Sequence, residues 1–314
     1  MALLPLKLFS KKTSLNFMNK KWIGFALSIG LTLLSIGIIA SKGLNLGIDF
    51  TGGILMEIRA NQDVDLSPLR SELGKGGYGE ITLQHFGTKR DVIIRIQTKG
   101  TDEQVEIIAA VKEQLKGVIE GEIDYRQIDY VGPTVGNELV EAGITATLLA
   151  MLVILGYIWF RFEWQFGLGA ILALVHDAMM MIGFFAVTRF DFNLAALAAI
   201  LTIIGYSIND SVVMFDRIRE NMRKYKKMPV DELINVSIND TLSRTLLTAG
   251  TTILAVMCLA LFGGEVIKGF SWSLVFGVLV GTYSSIYIAG PTLIYLNIRS
   301  ANLDTAVEKT EAAA

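Results

Sequence analysis

Residues 194–215, LAALAAILTIIGYSINDSVVMF, decide how the whole chain is read. As a helix this run is long enough to cross the ~30 Å hydrocarbon of a bilayer, yet it carries an acid, Asp210, in its second half. Keeping a charged side chain there costs at least ~2.5 kcal/mol on insertion scales, so an intramembrane acid marks a functional site by default. A chain that retains one is expected to move protons or ions, or to cleave a substrate.

Outward from this run, five more at 22–40, 139–160, 166–187, 244–262 and 270–296 span, or nearly span, the same thickness. The run before the last is short unless it is drawn back to include Arg244 and Thr245, which puts a guanidinium near one membrane face, where it can snorkel. The chain has 314 residues, 52% of them hydrophobic and 18% charged, with five prolines. This composition argues against a water-soluble enzyme. It predicts a polytopic α-helical membrane protein of six transmembrane helices with one modest soluble domain.

Basic residues in short loops stay in the cytoplasm. Lys7, Lys11, Lys12, Lys20 and Lys21 in the tail 1–21, seven Lys and Arg over 217–244 around the loop 216–243, and Arg161, Arg299 and Lys309 share one side. The opposite short loops hold only Arg189 with Asp191 and Glu265 with Lys268. Both termini are therefore expected in the cytoplasm, the tail 297–314 being too weakly apolar to fold alone. The first run, long for a signal sequence and lacking a small-residue cleavage site, is read as an uncleaved anchor. The loop 41–138 then lies outside. It has 11 basic and 16 acidic residues, and the whole chain carries a net charge of −2, so no nucleic-acid partner is expected. The single cysteine, Cys258, falls in the fifth span and leaves no intramolecular disulfide.

Within the outer loop, 54–59 reads as a strand and 66–73 as a short helix begun at Ser67-Pro68. The alternating runs 81–86 and 91–97 form a hairpin around the four residues 87–90. Thr101 is positioned to cap a helix in which Val105, Ile108, Val111 and Leu115 recur at helical spacing, and 123–131 is a last strand. The order β, α, β, β, α, β predicts a small α+β, ferredoxin-like domain between the first two spans. It holds one histidine, His85, and no cysteine, and the glycines of 74–79, GKGGYG, read as a turn rather than a nucleotide loop. No catalytic set is expected.

On the fourth span Ser207, Asp210, Ser211 and Met214 share one helical face. On the fifth, Arg244, Thr248, Thr251 and Thr252 do the same, and the sixth adds Thr282, Ser284 and Ser285 beside Gly277-x-x-x-Gly281, a spacing that permits close helix approach. Asp210 lies five residues before the cytoplasmic end of its run, ~7.5 Å along a helix, which matches the depth of Arg244. A carboxylate that exchanges apolar surroundings for a nearby guanidinium changes its hold on a proton, the physical basis of a relay. The plainer alternative is a static ion pair that fixes helix packing. Asp177, beside His176 in the third span, is either a second relay group or a structural hydrogen-bonding residue. His176 lacks a second ligand at i+4, so no metal is expected. After Pro229, the segment 231–242 turns Leu233, Val236 and Leu242 toward the bilayer and is expected to lie along its inner surface.

The strings GIDFTGG (47–53), VGPTVG (131–136), GYSINDSVVMFDRIREN (205–221), SRTLLT (243–248) and GTYSS (281–285) together resemble the SecF family, over nearly the whole chain. That family is one half of a SecD and SecF protein-export accessory of bacterial inner membranes, related to the resistance-nodulation-division (RND) transporters. The resemblance implies a SecD-like subunit completing a twelve-helix assembly, a SecYEG translocon, an unfolded preprotein substrate and a lipid bilayer as partners. It implies that the proton motive force draws polypeptide outward, with Asp210 and Arg244 as the relay pair, no cofactor, and a proton as coupling ion, sodium being the alternative. Coupling to the outer domain is expected to run through Gly47, Gly52 and Gly53 and through Gly132, Pro133 and Gly136, where glycines permit sharp, hinge-like turns.

Two other functions use the same acids. An intramembrane aspartyl protease would employ Asp177 and Asp210, but their flanks read His-Asp and Asn-Asp rather than Tyr-Asp and Gly-x-Gly-Asp. A small-molecule efflux half-transporter would share the relay but needs larger outer domains to enclose its cargo.

Overall fold

A computed structural model of the chain describes residues 13–97, 104–264 and 267–298. The Thr101 cap, Lys7, Lys11 and Lys12, Glu265, Arg299, Lys309 and the tail beyond 298 lie outside the described residues. The chain divides into two compact units, one of Met1–Gly43, Leu149–Phe190 and Ala198–Ala314, the other of Leu44–Leu148 and Asp191–Leu197.

After helix α1 (Lys21–Lys42), the second unit runs α2 (Ile48–Thr51), β1 (Gly53–Ala60), α3 (Leu66–Gly74), β2 (Glu80–Phe86), β3 (Thr88–Gln97), α4 (Gln104–Val118) and β4 (Ile123–Val131). The sheet order is β2-β3-β1-β4 with every neighbouring pair antiparallel, the arrangement expected of a ferredoxin-like module. Strand alternation puts Ile54, Met56 and Ile58 of β1 and Val92, Ile94 and Ile96 of β3 on one face. They pack with Leu69 and Leu73 of α3 and Val111 and Leu115 of α4, and all ten side chains are fully buried. The hairpin connection is shorter than the four residues expected. Thr88–Arg90 continue β3, and Gly87, at φ +80°, turns the chain beside a bulge at His85/Phe86. Gly77 and Gly79 also take positive φ, so GKGGYG is a turn into β2. Helix α3 is capped by Asp65, whose carboxylate accepts the Ser67 N–H at 2.9 Å.

The remaining elements are α5 (Pro133–Arg161), α6 (Trp164–Thr188), α7 (Leu194–Lys224), α8 (Val230–Phe262), α9 (Lys268–Ser284), a π turn (Ser285–Ala289) and α10 (Gly290–Tyr295). Among the described residues, six stretches are long and apolar enough to cross a membrane: Met18–Lys42, Thr134–Arg161, Trp164–Thr188, Leu194–Lys224, Val230–Phe262 and Lys268–Tyr295.

Three boundaries differ from expectation. The fourth span does not stop at 215 but continues as one helix to Lys224. The second span begins at Pro133 rather than 139, because a proline at the first helical position starts the helix ahead of its apolar stretch. The fifth span is the second half of a 33-residue helix that begins at Val230. The segment 231–242 is therefore helix continuous with the fifth span rather than a separate amphipathic piece. Its apolar stripe, Leu233, Ile234 and Ile238, is buried against Met18, Phe215 and Ile218 inside the first unit. Phe162, Phe166 and Phe215 complete that core with ring centroids 5.2 to 5.9 Å apart, separations typical of favourable aromatic pairs. Higher in the bundle, a Cβ on Gly277 would fall 2.4 Å from Ile203 Cγ1, and one on Gly281 3.0 Å from Ser207 Cβ. The small-residue pair thus brings α9 against α7, as its spacing predicts.

Candidate functional site

Asp210 is 5% exposed on α7, and its Oδ2 is buried without a hydrogen-bond partner. Beside it lies a cavity of about 10 Å3, at the threshold for one water. Thr241, Leu242 and Thr245 of α8 and Ser285 of the π turn help to line it. Arg244, on the same helix as these threonines, is exposed. No ion pair or hydrogen bond joins it to Asp210 among the described residues.

The other seam residues are distributed differently from their sequence grouping. Ser207 donates to Asp177 Oδ2 at 2.5 Å, and Ser284 donates to the same oxygen at 2.8 Å. Asp177 Oδ1 is 3.1 Å from His176 Nδ1. Asp177 is fully buried and lies within a knot that ties α6, α7 and α9 together. Ser211 and Ser285 pair at 3.0 Å. Thr248 stays out of the seam: its hydroxyl donates to backbone carbonyls of its own helix, Arg244 O at 3.1 Å and Thr245 O at 3.0 Å. Thr251 likewise bonds Leu247 O and Thr248 O. The threonines that do face the acid, Thr241 and Thr245, sit at i and i+4. Their spacing would have revealed them had the helix been started at Val230 rather than at Arg244. The two acids share no partner among the described residues, unlike a protease pair that must activate one water together.

The glycine segments form close-packed junctions in the second unit. Gly52 and Gly53 take φ of +69° and +117°, and a Cβ on Gly53 would fall 2.4 Å from Ile96 O. Gly47 N–H donates to Phe192 O at 2.8 Å, and Asp49 Oδ2 accepts the Leu194 N–H at 2.9 Å. Asn193 accepts the Ala196 N–H at 3.0 Å, so the N-terminus of α7 receives two side-chain caps, one of them anionic. Arg95 of β3 forms an ion pair with Asp191, which also accepts from Asn45 at 2.8 Å. Gly132 O accepts the Gly136 N–H at 2.9 Å across the first turn of α5, where Pro133 stands. A Cβ on Gly136 would come 3.2 Å from Gly52 N. These glycines allow backbones to touch, a tighter arrangement than free hinges.

Residues 110–299 match the family described as protein export membrane protein SecD/SecF, C-terminal, and residues 37–64 match the SecD/SecF GG motif. The chain is 49% identical over 302 residues to protein translocase subunit SecF of Rickettsia rickettsii, covering 96% of this chain and 98% of that one. It is 50% identical over 293 residues to protein translocase subunit SecF of Rickettsia bellii, covering 93% and 97%. Among solved structures it is similar to SecDF of Thermus thermophilus, described as a translocon-associated membrane protein, with 35% identity and a TM-score of 0.82. That likeness covers 91% of this chain but 39% of the SecDF chain. The super-membrane-facing form of SecDF gives a TM-score of 0.69 at 34% identity, over 94% of this chain and 40% of that one.

Proposed function

The chain belongs to the SecF family of protein translocase subunits, and from that premise we propose that it converts the proton motive force into outward movement of translocating polypeptide. Asp210 takes up and releases the proton, and Arg244 sets when it does so. The observation that carries this reading is Asp210 itself: an acid buried in a membrane-crossing helix, with one oxygen unpartnered and a water-sized cavity beside it. Such a group is costly to keep unless it works.

Each charge that crosses the membrane yields ~2.3 kcal/mol per 100 mV, enough to bias a two-state equilibrium. The remaining roles follow from the same reading. A SecD-like subunit completes the assembly, consistent with this chain matching less than half of SecDF. The SecYEG translocon delivers an unfolded preprotein, the ferredoxin-like domain meets it on the periplasmic side of the bacterial inner membrane, and both termini remain in the cytoplasm. No cofactor and no catalytic residue is needed, and the coupling ion is a proton rather than sodium. Movement reaches the outer domain through the junctions at 47–53 and 132–136, with Asp49 bonding the start of α7 directly.

The test is export into inner-membrane vesicles containing the assembled complex, with and without a proton gradient. Asp210→Asn is expected to remove the gradient-dependent stimulation while the chain still inserts; undiminished stimulation overturns the reading.

A further inference from the structure

Asp177 is more completely enclosed than Asp210 and better provided with partners. Facing it are His176 from its own helix, Ser207 from α7 and Ser284 from α9. The Tyr283 ring lies 6.3 Å from that of His176, and its hydroxyl pairs with Ser28 of α1 at 3.0 Å. His176 is the sole basic residue paired with Asp177 among the described residues, and its Nε2 is buried with no partner. The two acids are linked through α7. Ser207 stands three residues before Asp210, ~4.5 Å along the helix, and Ser211 stands one residue after it. Asp210 and Ser285 line the same cavity.

We propose that Asp177 is a second proton-binding site in series with Asp210, joined to it by the hydroxyls of Ser285, Ser211, Ser284 and Ser207. The proposal rests on the relay reading of Asp210. Its specific support is that two of the four hydroxyls, those of Ser284 and Ser285, are not locked. A serine has one hydrogen to donate, and Ser284 has two acceptors in reach, Asp177 Oδ2 at 2.8 Å and Gly281 O at 3.1 Å. Ser285 has the same choice, between Ser211 at 3.0 Å and Gly281 O at 3.0 Å. Each can therefore turn between the seam and a shared backbone carbonyl. The helix also widens into its π turn at Ser285, and such single-turn bulges recur at functional sites. In a transfer, a proton leaving the Asp210 carboxyl reaches a hydroxyl oxygen as that hydroxyl passes its own proton onward. Every serine ends neutral, and the Asp177 carboxylate becomes a carboxylic acid.

The experiment uses the full-length chain in its assembled complex in vesicles, reading gradient-dependent export against pH for Asp177→Asn and Asp210→Asn in parallel. Asparagine keeps an acceptor for Ser207 and Ser284 but cannot carry a proton between them. Asp177→Asn is expected to lose the gradient-dependent stimulation at every pH, and Asp177→Glu to recover part of it. If Asp177→Asn keeps the wild-type stimulation and pH profile while Asp210→Asn loses both, Asp177 is a static knot and the proposal falls, with the Asp210 reading intact. If Asp210→Asn also keeps them, the reading beneath falls as well. Should Asp177→Asn fail to accumulate, Ser284→Ala decides: reduced stimulation at normal abundance supports the link, and unchanged stimulation overturns it.

Discussion

Ser207 donates its hydrogen bond to Asp177 on the neighbouring helix, at 2.5 Å, although it shares a helical face with Asp210 three residues away. Asp177 is thereby fully partnered while Asp210 Oδ2 has none. Stability and function should separate accordingly. Ser207→Ala leaves a buried acceptor short of a donor and is expected to lower stability by about 1–3 kcal/mol. Asp210→Asn breaks no bond and removes a costly buried acid, so it should not lower stability. Thermal unfolding of the two variants in detergent checks this; equal losses would mean that Asp210 is also held by a structural partner.

The Gly277 contact sets how closely α9 approaches α7. Ile203 Cγ1 and Met181 Sδ stand 2.4 and 2.9 Å from where a Cβ would be. Gly277→Val should overpack this crossing by about 1–3 kcal/mol. Gly250, with open space around its Cβ position, serves as the control, and Gly250→Ala should be tolerated. A lower melting temperature for the first variant alone is the expected result.

Asp49 contributes an anionic cap to α7 from a segment far away in sequence. Asp49→Ala should cost about 1 kcal/mol and speed amide exchange at Leu194, with little effect at Ala196, which Asn193 caps. Unchanged exchange at Leu194 would show that the contact contributes nothing.

In the ferredoxin-like domain, Asp91 is buried and bonded by Arg59 through Nε at 2.5 Å and Nη2 at 2.8 Å. The Arg59 bonds, helped by Thr88, hold its carboxyl below the usual 3.8 despite the opposing effect of burial. A carboxyl held low in the native state adds stability that is present above the unfolded value and lost as the pH falls through the native one. The domain should therefore weaken on acidification below about pH 4. Asp91→Asn should remove about 2 kcal/mol at neutral pH and flatten that dependence. Denaturant unfolding against pH measures both.

Elements with a clean local signal were legible in the sequence. The strand 123–131 matches β4 (Ile123–Val131), and the β, α, β, β, α, β order fixed the sheet topology through handedness and pairing rules. Helix α8 was obscured because Pro229 and the charges of 231–244 look like a loop, and only its packing on Met18, Phe215 and Ile218 shows that the helix runs through. A helix begun at Arg244 contains Thr245 but omits Thr241 four residues earlier, so the polar stripe read from Arg244 runs through Thr248, which bonds its own backbone. On α7 the spacing correctly grouped Ser207, Asp210 and Ser211. Spacing shows which residues share a face, but not which neighbouring helix each one meets, and that rotation gave Ser207 to Asp177.

Proton flow through the assembled complex in liposomes, followed with a pH-sensitive dye under an imposed gradient, measures the role of Asp210 without relying on export. Wild-type protein should pass protons and Asp210→Asn should fall to the leak of empty liposomes, with the fold unchanged. Equal flow through both would contradict a relay at Asp210.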